Sequence, residues 1–355
     1  MTTAVSAAEV LHRRLATQRL LPDRLGSPAE VVGLLTGVQS QEFGHALWSL
    51  GMRSTGTYAD AQAAFDRGEF VRTHVLRPTW HFTLPEDIGW LLAVTSPRVH
   101  QLNGTMYRKL GLDPAGLDRA AGVIVEALAG GVALTRAELG QRLGTSSLTL
   151  IYQVMNAELE GLIVSGPVRG AQQTYALMDE RVPRECRRTG DLAELAYRFF
   201  VGHGPASVQD LARWASLTQT QAREATEAAA PRLAEETVTG EPLWADPAAP
   251  EAPGDVAYGA LLLPLYDELT LTYPALGFPA AAQHPHPAGE DQFVGSVVLG
   301  DENVGTWRRT VRGRTVEVEV ALAPGRTPAD RNAVAAAAGA LAAFLDRRLD
   351  LTITA

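Results

Sequence analysis

Apolar residues recur along this chain with two spacings, and the switch between them happens three times. Where they fall three and four apart they predict amphipathic helices. Where they alternate, or run together briefly between turn formers, they predict strands. The middle copy is the clearest. Leu117 to Leu128 reads as an amphipathic helix. Thr135-Arg-Ala-Glu138 has the spacing of a capping box and opens a short second helix that ends near Gly144. Ser146 or Ser147 opens a third helix, through Ile151, Met155 and Leu159. A strand at Gly161-Leu-Ile-Val164, a glycine-rich tip over Gly166 to Gly170 and a returning strand at Thr174-Tyr-Ala-Leu177 follow. Three helices and a hairpin, in that order, are the parts of a winged helix-turn-helix.

Downstream, Asp191 to Val201 predicts a helix, Ser207-Val-Gln-Asp210 caps a second and Thr218-Gln-Thr-Gln221 a third. Leu233 to Thr237 and Leu243 to Ala245 flank Gly240 as a wing. Upstream, Ala7 to Leu20 is helix one, Ser27-Pro-Ala-Glu30 caps helix two with Pro28 at its first position, and Phe43 to Met52 is helix three. An extra helix, Ala59 to Asp66, precedes paired strands at Phe70 to Val75 and Thr79 to Thr83. Superposing the three capped second helices sets Gln39 opposite Ser147 and Gln219. Gln39-Ser-Gln41 then falls at the turn into a third helix, where a helix-turn-helix first meets a duplex.

After about Pro253 the pattern changes. Ala260 to Leu265 and Phe293 to Leu299 read as buried strands, and Val304 to Val311 with Thr315 to Leu322 as a hairpin turning at Gly313. Thr327-Pro-Ala-Asp330 caps a long helix, Leu351 to Thr354 is a last strand, and the proline- and alanine-rich run 278–289 is loop. The expected fold is mainly α with β wings (α+β). It comprises three tandem winged helix-turn-helix domains over 1–112, 113–183 and 184–252, and a C-terminal α+β domain over 253–355.

Composition narrows the function classes. With 355 residues, 46% of them hydrophobic, the chain can fill several modest cores. Its longest nearly pure apolar run, Ala333 to Leu345, is too short to span a bilayer. The N-terminus lacks the basic start, apolar run and cleavage site of a signal peptide. Cys186 is the sole cysteine, so no internal disulfide forms, and a cytoplasmic, nucleoid-associated location is expected. The net charge of -9, from 31 Lys+Arg against 40 Asp+Glu, weighs against nucleic acid as a partner. A basic groove can nevertheless sit on an acidic body. Nearly all the cations are arginine. Lys109 is the single lysine, in an exposed-looking helical context, which disfavours Schiff-base chemistry.

Several side-chain groups are candidates for chemistry or contact. His284 and His286 sit in the proline-rich loop without matching ligands, and no HExxH-type spacing exists, so neither a metal nor another cofactor is expected. Arg308, Arg309, Arg312 and Arg314 straddle the C-terminal hairpin tip, Arg184, Arg187 and Arg188 follow the second wing, and Arg98, Arg108 and Lys109 form a looser group. Each alone reads as solvated surface; three such groups beside hairpins and joints suit phosphate contacts. Trp48, Trp80, Phe82 and Trp90 crowd the first copy. In the strand Trp80-His81-Phe82 the histidine points opposite to its neighbours, so either His81 or the two aromatics face a cleft. Asp267 and Glu268 end a buried-looking strand, where a carboxylate caps or pairs more often than it catalyses. By spacing alone Gln39 and Gln41 are a turn, since an amide cannot act as a general base.

Four ordered segments give those glutamines another meaning. They are Val38-Gln-Ser-Gln-Glu42 with Ala46-Leu-Trp48, Arg72-Thr-His-Val-Leu-Arg-Pro-Thr-Trp-His-Phe82, Leu263-Pro-Leu-Tyr-Asp-Glu268 and Val304-Gly-Thr-Trp-Arg-Arg309. Together they resemble the AlkZ-type winged-helix DNA glycosylases, and the likeness spans nearly the whole chain. The resemblance implies three winged helices around a concave DNA channel, with a C-terminal β-rich element. It also implies excision of alkylated purines, including unhooking of interstrand cross-links made by natural-product genotoxins. It maps the family's two glutamines, which flank an aliphatic residue, onto Gln39 and Gln41 as catalytic residues, with Ser40 as a departure between them. Arg77, Trp80, His81, Arg308, Arg309 and Arg312 are the expected contacts to double-stranded DNA, and Asp267 is a further candidate. The chain is expected to act as a monomer, without a membrane partner.

Glutamine suffices if the substrate arrives activated. An N7-alkylated purine is already positively charged and leaves as a neutral base, so no general acid is required. The sugar then develops oxocarbenium character, as in other glycosyl hydrolyses. An amide can hold and orient the attacking water, a gain of proximity. Gln41 is expected to hold the water and Gln39 to contact the sugar or lesion. Without a suitable lysine, the abasic product stays uncleaved. Two other readings stay open: a non-enzymatic regulator reading base edges with its third helices, and a hydrolase of another glycoside using Asp267 and Glu268.

Overall fold

The computed structural model describes residues 6–21, 23–238, 240–250, 259–273 and 293–354. The run 278–289, with His284 and His286, lies outside them. The first stretch is α1 (Ala7–Thr17), α2 (Pro28–Leu35), β1 (Val38–Gln39), α3 (Phe43–Arg53), α4 (Tyr58–Arg67), β2 (Val71–His74), β3 (Trp80–Thr83) and α5 (Ile88–Lys109). The second is α6 (Pro114–Leu128), β4 (Leu134–Thr135), α7 (Arg136–Leu143), α8 (Ser147–Leu159), β5 (Ile163–Ser165), β6 (Thr174–Leu177) and the short α9 (Met178–Arg181). The third is α10 (Leu192–His203), α11 (Val208–Trp214), α12 (Gln219–Ala229), β7 (Ala234–Val238) and β8 (Glu241–Ala245). Last come β9 (Leu261–Leu263), α13 (Glu268–Leu271), β10 (Gly295–Leu299), β11 (Glu302–Arg312), β12 (Thr315–Leu322), α14 (Pro328–Phe344) and β13 (Arg348–Thr354).

Helix starts follow local chemistry. Thr135, Ser207, Thr218 and Thr327 each accept from the backbone three residues on, while the side chain there reaches back, forming complete capping boxes. Thr57 and Asp60 form one more, opening α4. Ser27 caps α2 by accepting from Glu30.

Sheet order corrects how the first copy lines up with the others. The first sheet runs β1-β3-β2 and the second β4-β6-β5. Val38 pairs Phe82 and Gln39 pairs His81, just as Leu134 pairs Tyr175 and Thr135 pairs Thr174. In the third copy Ala206 bridges Trp244 of β8 in the same way. Gln39 therefore lies opposite Thr135, at the end of a strand. It does not lie opposite Ser147 or Gln219 at the mouth of a helix. The helix over 59–66, read as an extra, is α4, which holds before its hairpin the place α8 holds in the second copy. A two-residue strand is too short to show alternation, so β1 has no periodic signature in the sequence. α5, on which Trp90 and Lys109 both lie, runs for 22 residues with Pro97 in its interior.

In the C-terminal sheet, order β13-β12-β11-β10-β9, only β12 and β13 run parallel. α14 packs this sheet onto α3, with Phe344 against Trp48 (ring centroids 5.3 Å apart). Gly51 makes the approach possible, since a Cβ there would stand 2.4 Å from the Phe344 ring. One continuous apolar core joins the first and third stretches to the C-terminal sheet. The second stretch has a core of its own around Ile124, Leu139, Leu150 and Tyr175. No helix among the described residues is long and apolar enough to cross a membrane.

Candidate active site

β1 hydrogen-bonds to β3, and Ser40 extends the pairing by donating to the Trp80 carbonyl at 2.7 Å. α3 starts only at Phe43, and its N-cap, Glu42, makes no side-chain capping bond. Ser40, Gln41 and Glu42 thus form a short loop between strand and helix. Arg72, buried on β2, pins that loop from behind: its Nε donates to the Ser40 carbonyl at 3.0 Å and its Nη2 to the Gln41 carbonyl at 3.4 Å. Ser40 is fully buried and its hydroxyl has no partner among the described residues, so it fills a pocket that would suit an aliphatic side chain.

Gln39 is held from two sides. Arg77 Nη2 donates to Gln39 Oε1 at 2.6 Å and to His81 Nε2 at 3.1 Å, while its Nη1 donates to the Trp214 carbonyl at 3.2 Å. A guanidinium only donates, so the Gln39 oxygen must face it and the amide NH2 turns away. Gln39 NH2 has no hydrogen-bond partner among the described residues. From the other side, Glu268 Oε1 accepts the Gln39 backbone N–H at 2.7 Å, and Oε2 accepts the Trp214 indole N–H at 3.0 Å. Burial works to raise the Glu268 carboxyl, but the His203 ring, 3.7 Å away, and the Arg77 charge hold it at about 2, so it stays ionised. Burial, with Arg77 beside it, pushes His81 down to about 3. The ring is neutral at working pH, with Nδ1 donating to the Thr79 carbonyl at 3.0 Å and Nε2 left to accept from Arg77. Gln41 is half-buried, and its side chain makes no hydrogen bond among the described residues.

The remaining candidates separate cleanly. Asp267 takes a structural part, not a chemical one. It is buried; it grips Arg53 through both oxygens at 2.8 Å, accepts from Ser49 Oγ at 2.7 Å and caps α13 through the Leu269 N–H. Nothing is left over for a substrate. His81, fully buried, cannot touch DNA and acts on the site through Arg77. Arg77 itself is half-buried and spends its donors inside the protein. Phe82 is buried among Phe43, Phe65 and Phe70, so of the two aromatics flanking His81 only Trp80 reaches open space. Trp80 is fixed by Glu158, which accepts its indole N–H at 3.1 Å, and by the Arg72 guanidinium 4.2 Å above its ring. On the hairpin, Arg308 leans on Glu319 at 2.8 Å and Arg312 on Glu317 at 2.9 Å, both exposed. Arg309 instead turns inward, donating to the Gly44 carbonyl at 2.7 Å. Trp214 and His203 carried no signal in the sequence. Glu268 carried one, the string 263–268, but not its partner.

Known proteins resemble this chain in sequence and fold. The chain aligns with an interstrand DNA cross-link repair glycosylase of Streptomyces sahachiroi at 26% identity over 238 residues, which is 60% of this chain and 61% of that relative. The solved structure of Streptomyces sahachiroi DNA glycosylase AlkZ has the same fold, with a TM-score of 0.75 and 21% identity over 99% of this chain and 100% of the other. The model of the family described as DNA glycosylase AlkZ-like matches residues 32–344, which takes in both glutamines, Arg77, His81 and Glu268. The chain belongs to the AlkZ-like DNA glycosylase family.

Proposed function

We propose that this protein is a monofunctional DNA glycosylase. It hydrolyses the N-glycosidic bond of N7- or N3-alkylated purines, with bulky adducts and interstrand cross-links among its substrates. The observation that carries the reading is the Arg77 hydrogen bond to Gln39 Oε1, which leaves the Gln39 amide NH2 as a fixed donor beside the uncommitted Gln41 amide. Two neutral amides in a network whose charges are already satisfied suit a reaction that needs no proton from the enzyme.

In this mechanism Gln39 donates to an acceptor on the sugar or lesion, and Gln41 Oε1 accepts from a water and aims it at the anomeric carbon. The C–N bond breaks with its electron pair going to the charged purine, which departs neutral. The oxocarbenium-like sugar takes the water, and the surplus proton passes to solvent. Arg72 and Glu268 position the glutamine backbones. The three repeated stretches act as winged helices, with joints near 112, 183 and 252, and Arg308 and Arg312 on the C-terminal hairpin contact the duplex backbone. Lys109 is exposed at the end of α5, so the abasic strand is left intact.

The test is single-turnover excision of N7-methylguanine from duplex DNA, with abasic sites revealed by alkali. Gln39→Ala and Gln41→Ala are each expected to slow excision about 10²-fold, the usual penalty for losing a positioned reactant. Unaltered rates in both variants sink the assignment.

A further inference from the structure

A cavity of about 890 Å³ opens between the first sheet and the second stretch, lined by Arg72 and Trp80 on one side and the starts of α7 and α8 on the other. Among the described residues no carboxylate lines it, in a chain whose net charge is -9. We propose that this cavity binds a phosphodiester of the DNA backbone, with Arg72 and Arg136 as its cationic partners and the N-terminus of α8 as its hydrogen-bond donor. The proposal rests on the DNA-substrate reading above and adds a site to it.

Three independent features point to an anion. Arg72 is only 5% exposed, and its Nε and Nη2 are spent on the Ser40 and Gln41 carbonyls. Its Nη1 has no acceptor among the described residues, and it belongs to a side chain that lines the cavity. Glu158 and Glu42 act on Arg72 through space but do not bond it. A buried cation with an open donor calls for a counter-ion. Second, Arg136 is exposed in the first turn of α7, where a positive charge opposes the helix dipole, and it makes no ion pair among the described residues. Burial holds Arg72 down to about 10; Tyr175, Glu158 and Glu42 oppose that shift, and Arg136, the last and smallest influence, adds to it. Third, α8 is 13 residues long, yet its N-cap Ser146 makes no side-chain capping bond, whereas α7, α11, α12 and α14 are each closed by a full box. Its first N–H groups are therefore free to face an anion. A phosphate seated here would touch the same guanidinium that pins the Ser40 and Gln41 carbonyls. Arg72 is thus a positioning residue, setting the glutamine loop against one point on the strand.

Binding of undamaged duplex across a salt series tests the site, because excision itself is not read. In Arg136→Gln the slope of log affinity against log salt is expected to become shallower by about one, the signature of one lost phosphate contact. Arg136→Lys should keep the wild-type slope. Arg142→Gln removes an equal charge from the same helix outside the cavity; an equal loss of slope there would reduce the effect to net charge and overturn the site. Unchanged slopes in all three variants also overturn it. If millimolar inorganic phosphate raises the wild-type Tm above a chloride control, and Arg136→Gln abolishes that rise without changing the DNA slope, the cavity takes a free phosphate and the backbone assignment fails. Failure of wild-type protein to excise an alkylated base would sink the glycosylase reading but leave these slopes to decide the phosphate site.

Discussion

The first and second stretches share one sheet order, and they differ most where the first strand meets the next helix. In the second, β4 runs directly into α7, and Thr135, the last strand residue, is also the helix cap. In the third, Ser207 does the same one residue after the Ala206 bridge. In the first, the matching residue is Gln39; three residues intervene before α3, and the helix has no side-chain cap. A position that elsewhere stabilises a helix by about 1 kcal/mol is here occupied by a buried amide bonded to Arg77. The stability is recovered from the C-terminal region. Asp267 grips α3 through Ser49 and Arg53, and Glu268 holds the Gln39 N–H. Neighbours in the chain, these two carboxylates replace one missing cap with a clamp some two hundred residues away in sequence.

That comparison can be broken at several points. The largest effect is expected from Arg53→Met, which leaves Asp267 buried without its partner. Urea unfolding should show a loss of about 3–5 kcal/mol, and a loss no greater than that of a surface variant would mean that the clamp is not what holds α3. Acid comes next. An unfolded His81 takes up a proton near 6.5 that the folded ring refuses until about 3, so the unfolded state binds more protons within that window and stability falls as pH drops through it. His45, held to about 4 by burial and by Arg309, adds to the loss, and Glu268 adds a further part between about 4.5 and 2. The urea midpoint should decline from about pH 6.5 downward, less steeply in His81→Gln, while excision stays flat from neutral to mildly alkaline pH because amides do not titrate. An equal decline in His81→Gln would remove that ring from the account. Smallest is the cap itself. Ser207→Ala should cost about 1 kcal/mol, and Glu42→Ser, which offers α3 the cap it lacks, should add up to about 1 kcal/mol. If Glu42→Ser gains nothing, the loop is not held open at the expense of a cap.

What the sequence revealed follows from the range of each interaction. The boxes at Thr135, Ser207, Thr218 and Thr327 close within three residues, so spacing alone announced them. The C-terminal hairpin turns at Gly313, whose φ of 57° suits glycine, and it too could be read locally. The glutamine motif was visible only as a pattern shared with a family. Its true setting was not visible, because β1 is two residues long and takes its identity from β3, some forty residues on. The role of Glu268 was hidden for the same reason: its partners Gln39 and Trp214 lie far off in the chain, and nothing in Leu263 to Glu268 names them. Asp267 was legible as a pairing or capping carboxylate, and it does both, but Arg53 as its partner was not.

The Gln39 cradle has a consequence for how such a molecule can change over time. Its strand and arginine come from the first stretch, its indole and a carbonyl from the third, and its carboxylate from α13 of the C-terminal region. Tandem copies ordinarily permit gain, loss and exchange of whole units. Here removal of the third stretch would strip Glu268 of a donor and Arg77 of an acceptor together, though neither residue lies within it. The second stretch contributes nothing to this cradle and keeps a core of its own around Ile124 and Leu139, so the cradle constrains it less than it does the third.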